Sequence, residues 1–124
     1  VMSGEVGVYT RREPDTVRGG DVVFISAERY ARWKAERRKG FLDVAPELVV
    51  EVFSCSPGAK KVAEKVREYF SIGVRRVWVA NIAQRTVRVY CSPDAFRVLG
   101  ARDMLVDDEV LPGFRAEVRK LLEE

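Results

Sequence analysis

Apolar positions along the chain change their period several times, and each change predicts an element. In GEVGVYTRREPDTVRGGDVVFIS, Val6, Val8 and Thr10 alternate with Gly7 and Tyr9. Pro14-Asp15 marks a turn, and Gly19-Gly20 resets the chain before Asp21, so two strands are predicted, the second opening at Asp21. AERYARWKAERRKG is rich in helix formers and carries Tyr30 and Trp33 at i, i+3 spacing, with Gly40 to stop it. PELVVEVFS is the most apolar run and lies between two helical stretches. It therefore reads as a central strand covered on both faces. Ser54 to Gly58 forms a loop, with Ser56 as N-cap and Pro57 at the first helical position. The helix that follows runs to about Ile72, with Gly73 as its C-terminal cap and Val62, Val66, Tyr69 and Phe70 as its apolar stripe. VRRVWVANI and RTVRVYC form a hairpin, in which Val87, Val89 and Cys91 share a buried face and Arg88 and Tyr90 a wet one. AFRVLG adds a short edge strand, DDEVLPGF is a polar connection with a Pro-Gly turn, and RAEVRKLLEE closes the chain as a helix. The prediction is one α/β (α+β) domain with a mixed sheet over residues 1–124.

One position interrupts the pattern. Glu51 sits among Leu48, Val49, Val50, Val52 and Phe53, where a carboxylate must be paired or give up its charge. Side chains alternate along a strand, so Glu47, Val49, Glu51 and Phe53 share one face, and Asp21, Val23 and Ile25 share one face of the earlier strand. If those two strands are neighbours, Asp21 and Glu51 converge. Two converging carboxylates call for a positive charge between them, and magnesium suits oxygen donors of this kind. Lys65 lies at the edge of the helix stripe, roughly 80° from its centre at 100° per residue, from where it can bring its ammonium to the rim of the sheet. The plainer alternatives are a turn role for Asp21, pairing of Lys65 with Glu64, Glu68 or solvent, and a buried ion pair of Glu51 with an arginine. Glu47, just after Pro46, reads as a strand-end surface residue.

Composition narrows the chemistry. The 124 residues contain no histidine, which removes Ser-His-Asp and Cys-His catalysis. The two cysteines, Cys55 and Cys91, have no zinc-site context and read as buried free thiols in a reducing cytoplasm. Apolar runs of a few residues exclude a membrane-spanning helix. The net charge of +3 is compatible with a polyanionic partner without requiring one.

GGDVVFISAER, APELVVEVFSCS, AEKVREYFSIGVRRVWV and VLPGF stand in the order and spacing of the Uma-type restriction endonuclease family, which belongs to the PD-(D/E)XK nuclease superfamily. The resemblance runs from Gly4 to Leu122. It implies a restriction-endonuclease-like mixed β-sheet flanked by helices and a metal-dependent phosphodiesterase acting on DNA. By this resemblance Asp21 and Glu51 are the Mg2+ (or Mn2+) ligands. The superfamily lysine, usually two residues after the glutamate where this chain has Phe53, corresponds to Lys65 on the following helix. Members carry an N-terminal segment that this chain is expected to lack. A cytoplasmic homodimer is the expected form. The alternative is a catalytically inactive nuclease-fold domain that binds nucleic acid or serves as a dimeric interaction module.

Overall fold

The computed structural model describes residues 2–11, 16–25, 28–29, 31, 45–53 and 58–122, with residues 2–11 and 16–23 described by their backbone alone. Strands β1 (Met2–Arg11), β2 (Thr16–Phe24), β3 (Leu48–Phe53), β4 (Arg76–Asn81), β5 (Thr86–Ser92) and β6 (Ala95–Leu99) form one sheet in chain order. Only the β3–β4 pair is parallel among its five pairings. A parallel pair needs a crossover, and helix α1 (Ala59–Ser71) supplies it. Strand β3 is thus interior, as its apolar run requires. Strands β7 (Met104–Val106) and β8 (Arg115–Glu117) make a separate antiparallel pair, followed by the single-turn helix α2 (Val118–Leu121).

Alternation along β3 and β4 divides the core into two. Val49, Val77 and Val79 face α1, where Val62, Val66 and Tyr69 close over them. Leu48, Trp78 and Ala80 face the other way, toward Leu105 and Val118 of the C-terminal segment. The helix ends where Gly73, at φ 103°, turns the chain. The Gly73 N–H donates to the Phe70 carbonyl at 3.1 Å and that of Val74 to the Tyr69 carbonyl at 3.2 Å, the pairing of a Schellman cap. This delivers Val74 into the core below Tyr69 and starts β4.

Asp107, directly after β7, fastens the C-terminal segment to the sheet. Its carboxylate accepts from Trp78 Nε1 at 3.2 Å and faces Arg76 Nε at 3.4 Å, while Arg76 also pairs with Glu109. Burial works against the charged guanidinium, but Asp107, assisted by Glu109, outweighs it and holds the Arg76 pKa above its ordinary value.

Several expectations need correction. Strand β2 does not open at Asp21: it runs from Thr16 straight through Gly19 and Gly20, which pair with Gly7 and Val6 of β1. Residues 115–117 are strand rather than helix, because pairing with Met104–Val106 outweighs local helix propensity. Helix α1 begins at Ala59 behind Gly58, which makes no side-chain cap, rather than at Pro57. Tyr90 is buried in the α1-side core and Cys91 is an exposed free thiol, the reverse of the expected alternation. The reason is that both faces of β5 are covered at its middle, over Val89 and Tyr90, and the cover ends before Cys91. Among the described residues, β3 is not sealed on both faces. On the side away from α1 a groove of about 310 Å³ opens between Val50, Val52, Ala80, Phe114 and Leu122, and Val52 is 41% exposed. Ser56, Pro57, Cys55 and most of the predicted Tyr30–Trp33 helix lie outside the described residues; Glu28, Arg29 and Ala31 are helical.

Candidate active site

Glu51 lies on the α1 side of β3 and is 5% exposed. Its neighbours on that face are Val49 and Phe53, so the period that builds the core also carries the carboxylate beneath the helix. Lys65 and Tyr69, one helical turn apart on α1, both reach it. Lys65 Nζ lies 3.3 Å from Glu51 Oε1, and the Tyr69 hydroxyl donates to the same oxygen at 2.8 Å. The surrounding crevice is filled by Phe53, Val62, Val66, Val77 and Val79. A buried carboxylate thus has an ammonium beside it and a phenol fixing its rotamer. In a low-dielectric setting both interactions are strengthened. Lys65 is itself 28% exposed along its side chain, so its head reaches from the core toward solvent.

From its stripe-edge position on α1, Lys65 thus brings its ammonium beside Glu51. The sequence pattern marks Tyr69 only as an apolar stripe residue. Its role was discoverable: a buried tyrosine hydroxyl needs a partner, and Glu51 is the buried acceptor one strand below.

Asp21 lies within β2, the antiparallel neighbour of β3. The register pairs Val22 with Val50 and Val23 with Val49. Continued by one residue, it sets position 21 across from Glu51. The Asp21 side chain lies outside the described residues. Glu47 takes a different part. Arg29 Nε lies 3.2 Å from its carboxylate, and Arg29 also donates to the Ala45 carbonyl at 2.7 Å. Glu47 is four residues from Glu51, roughly 13 Å along an extended strand, so it belongs to the far end of β3.

The donor chemistry at Glu51 fits a hard divalent cation. Carboxylate oxygen is the ligand that magnesium selects, and one or two carboxylates with water are its usual protein share. Histidine and thiolate donors for a softer metal are not gathered here, and among the described residues no group of three or more His, Cys, Asp or Glu side chains assembles.

The result is an α/β domain with a mixed sheet whose interior strand carries a buried carboxylate under the crossover helix. The crystal structure of a protein described as a putative nuclease belonging to DUF820, from Anabaena variabilis ATCC 29413, has the same fold. It matches with a TM-score of 0.72 and 16% sequence identity over 88% of this chain. The present chain spans 62% of the length of that protein. The family model Uma2, described as putative restriction endonuclease, matches residues 1–119, and the chain belongs to that family. No curated protein matches it.

Proposed function

We propose that this domain is a divalent-metal-dependent DNA endonuclease, in which Asp21 and Glu51 hold Mg2+ (or Mn2+) and Lys65 assists hydrolysis of the phosphodiester bond. The observation that carries this reading is the buried Glu51 carboxylate with Lys65 and Tyr69 on one of its oxygens, in a chain of the Uma2 family. The description of the Anabaena protein as a putative nuclease agrees with it.

Each residue has a distinct task. Glu51, and Asp21 from the neighbouring strand, would be the ligands. Tyr69 holds the Glu51 carboxylate in one orientation, so less freedom is lost when the substrate arrives. Lys65 carries an ammonium beside that carboxylate, within reach of a phosphoryl oxygen or an attacking water, where its charge opposes the negative charge that develops on the phosphoryl group. The bound cation supplies Lewis acidity and a more acidic water. A two-fold dimer would present two such centres to a duplex.

A second reading draws on the same geometry. Lys65 and Tyr69 satisfy Glu51 without a metal, as a non-catalytic nucleic-acid-binding domain would require. Supercoiled plasmid incubated with the protein separates the two. The endonuclease reading predicts nicked and linear products in magnesium and none in EDTA. Cleavage in EDTA, or intact plasmid under both conditions, would overturn it, and the latter together with metal-independent DNA binding would favour the second.

A further inference from the structure

Beside the Glu51 crevice, at the end of β4 and the start of β5, lies a second hollow of about 100 Å³. Asn81, Gln84, Thr86 and Arg88 line it, with Ala59, Val62 and Val79 as its apolar wall. Val62 and Val79 also border Glu51 and Lys65, so the hollow and the crevice share that wall. The registers fix the relation further. Glu51 pairs with Val79 and Val79 with Arg88, so the three positions form one row on the α1 face. Arg88 stands two strands from Glu51, roughly 10 Å at ordinary strand spacing. The hollow lies at the carboxyl end of the parallel β3–β4 pair, the end at which open α/β sheets bind their ligands.

Its chemistry has one sign. The lining side chains are two carboxamides, a hydroxyl and a guanidinium, with no carboxylate among them. Asn81 Oδ1 already accepts from the Gln84 N–H at 3.0 Å, which leaves the Asn81 amide to donate. The Arg88 guanidinium lies 5.0 Å from the centre of the Phe96 ring, a stacking that orders its planar fork. Among the described residues no carboxylate pairs with Arg88. Two residues on, the same face of β5 carries the buried Tyr90, so the apolar core gives way to hydrogen-bond donors at Arg88.

We propose that this hollow is an anion subsite that receives a backbone phosphate of the substrate strand, next to the phosphate that faces Lys65 at the Glu51 centre. Arg88 is its charged, fork-shaped donor, and Asn81 and Thr86 are its neutral partners. The inference rests on reading Glu51 as part of a nuclease centre. Arg88 is a positioning residue: its contact sets which phosphate lies over Glu51 and leaves the bond-breaking to others.

The test measures binding without cleavage. Fluorescence anisotropy of a labelled duplex oligonucleotide is followed in EDTA between about 50 and 200 mM salt, where phosphate contacts dominate the salt dependence. Wild type is compared with Arg88→Ala, Arg88→Lys and Phe96→Leu. Arg88→Ala is expected to bind about tenfold more weakly and to lower the salt slope by about 1. Arg88→Lys keeps the wild-type slope; Phe96→Leu, which frees the fork but keeps the charge, also keeps the slope and weakens binding by less than Arg88→Ala. An unchanged slope in Arg88→Ala overturns the subsite, as does a loss in Phe96→Leu equal to that in Arg88→Ala, because the arginine would then be only a prop for the sheet edge. Absence of duplex binding by wild type overturns it too. A wild type that binds with the expected slope but does not cut plasmid removes the nuclease reading and leaves the anion subsite standing.

Discussion

Glu51→Gln is expected to bring magnesium-dependent plasmid cleavage to background, about 10³-fold or more below wild type, in a protein that remains folded. The substitution keeps shape and removes charge. The amide oxygen can still accept from Tyr69, so the buried hydroxyl keeps its partner. A neutral amide no longer anchors a divalent cation as a carboxylate does. Lys65 loses its counter-charge, but with part of its side chain exposed it can turn its ammonium to water. The stability cost is therefore about 1 kcal/mol, below the 3–5 kcal/mol typical of breaking a fully buried pair. Circular dichroism and a melting curve beside the cleavage assay check both halves. A folded Glu51→Gln protein that cuts at the wild-type rate would remove Glu51 from catalysis.

Asp107→Ala is expected to have the largest effect on stability, about 3 kcal/mol, with a melting temperature roughly 10 °C lower. The change strips the acceptor from the buried Trp78 indole N–H and leaves Arg76 with the exposed Glu109 and the Arg75 carbonyl. An orphaned buried donor costs about 1–3 kcal/mol, and the weakened pairing of Arg76 adds to it. Trp78 stands in the core beneath the C-terminal segment, with its ring 6.0 Å from that of Phe114, so a shift there loosens both. Asp107→Asn, which keeps an acceptor for Trp78, is expected to lose about half as much. A melting temperature within a degree or two of wild type for Asp107→Ala would mean that β7 is held by apolar contacts alone.

What the sequence revealed depended on whether the signal was local. The apolar run of β3, the stripe of α1 and the Gly73 cap each follow from short-range rules, and the structure keeps all three. So does the reach of Lys65, which needs only helix geometry. Features decided by distant partners were harder to see. Gly19 and Gly20 look like punctuation, yet pairing with β1 carries β2 through them. Arg115–Glu117 has helix formers around it, yet β7 claims it as a strand. Cys91 follows the alternation of Val87 and Val89, but whether such a position is buried depends on how far the covering layer extends. At the site, Glu51 was conspicuous because it broke a pattern. Tyr69 was hidden because it fitted one: its ring belongs to the stripe, and its hydroxyl shows its use only when β3 lies beneath it. The meeting we propose for positions 21 and 51 extends a β2–β3 register that no short-range rule supplies.

That meeting is the central claim, and it has a direct test. The magnesium-dependent cleavage rate is measured for Asp21→Asn, Glu51→Gln and the double substitution beside wild type. Residues that hold one group together act as a unit, so their losses do not add. A shared metal site predicts that each single substitution falls to the same floor as the double. Wild-type cleavage by Asp21→Asn, or by Glu51→Gln, would contradict it.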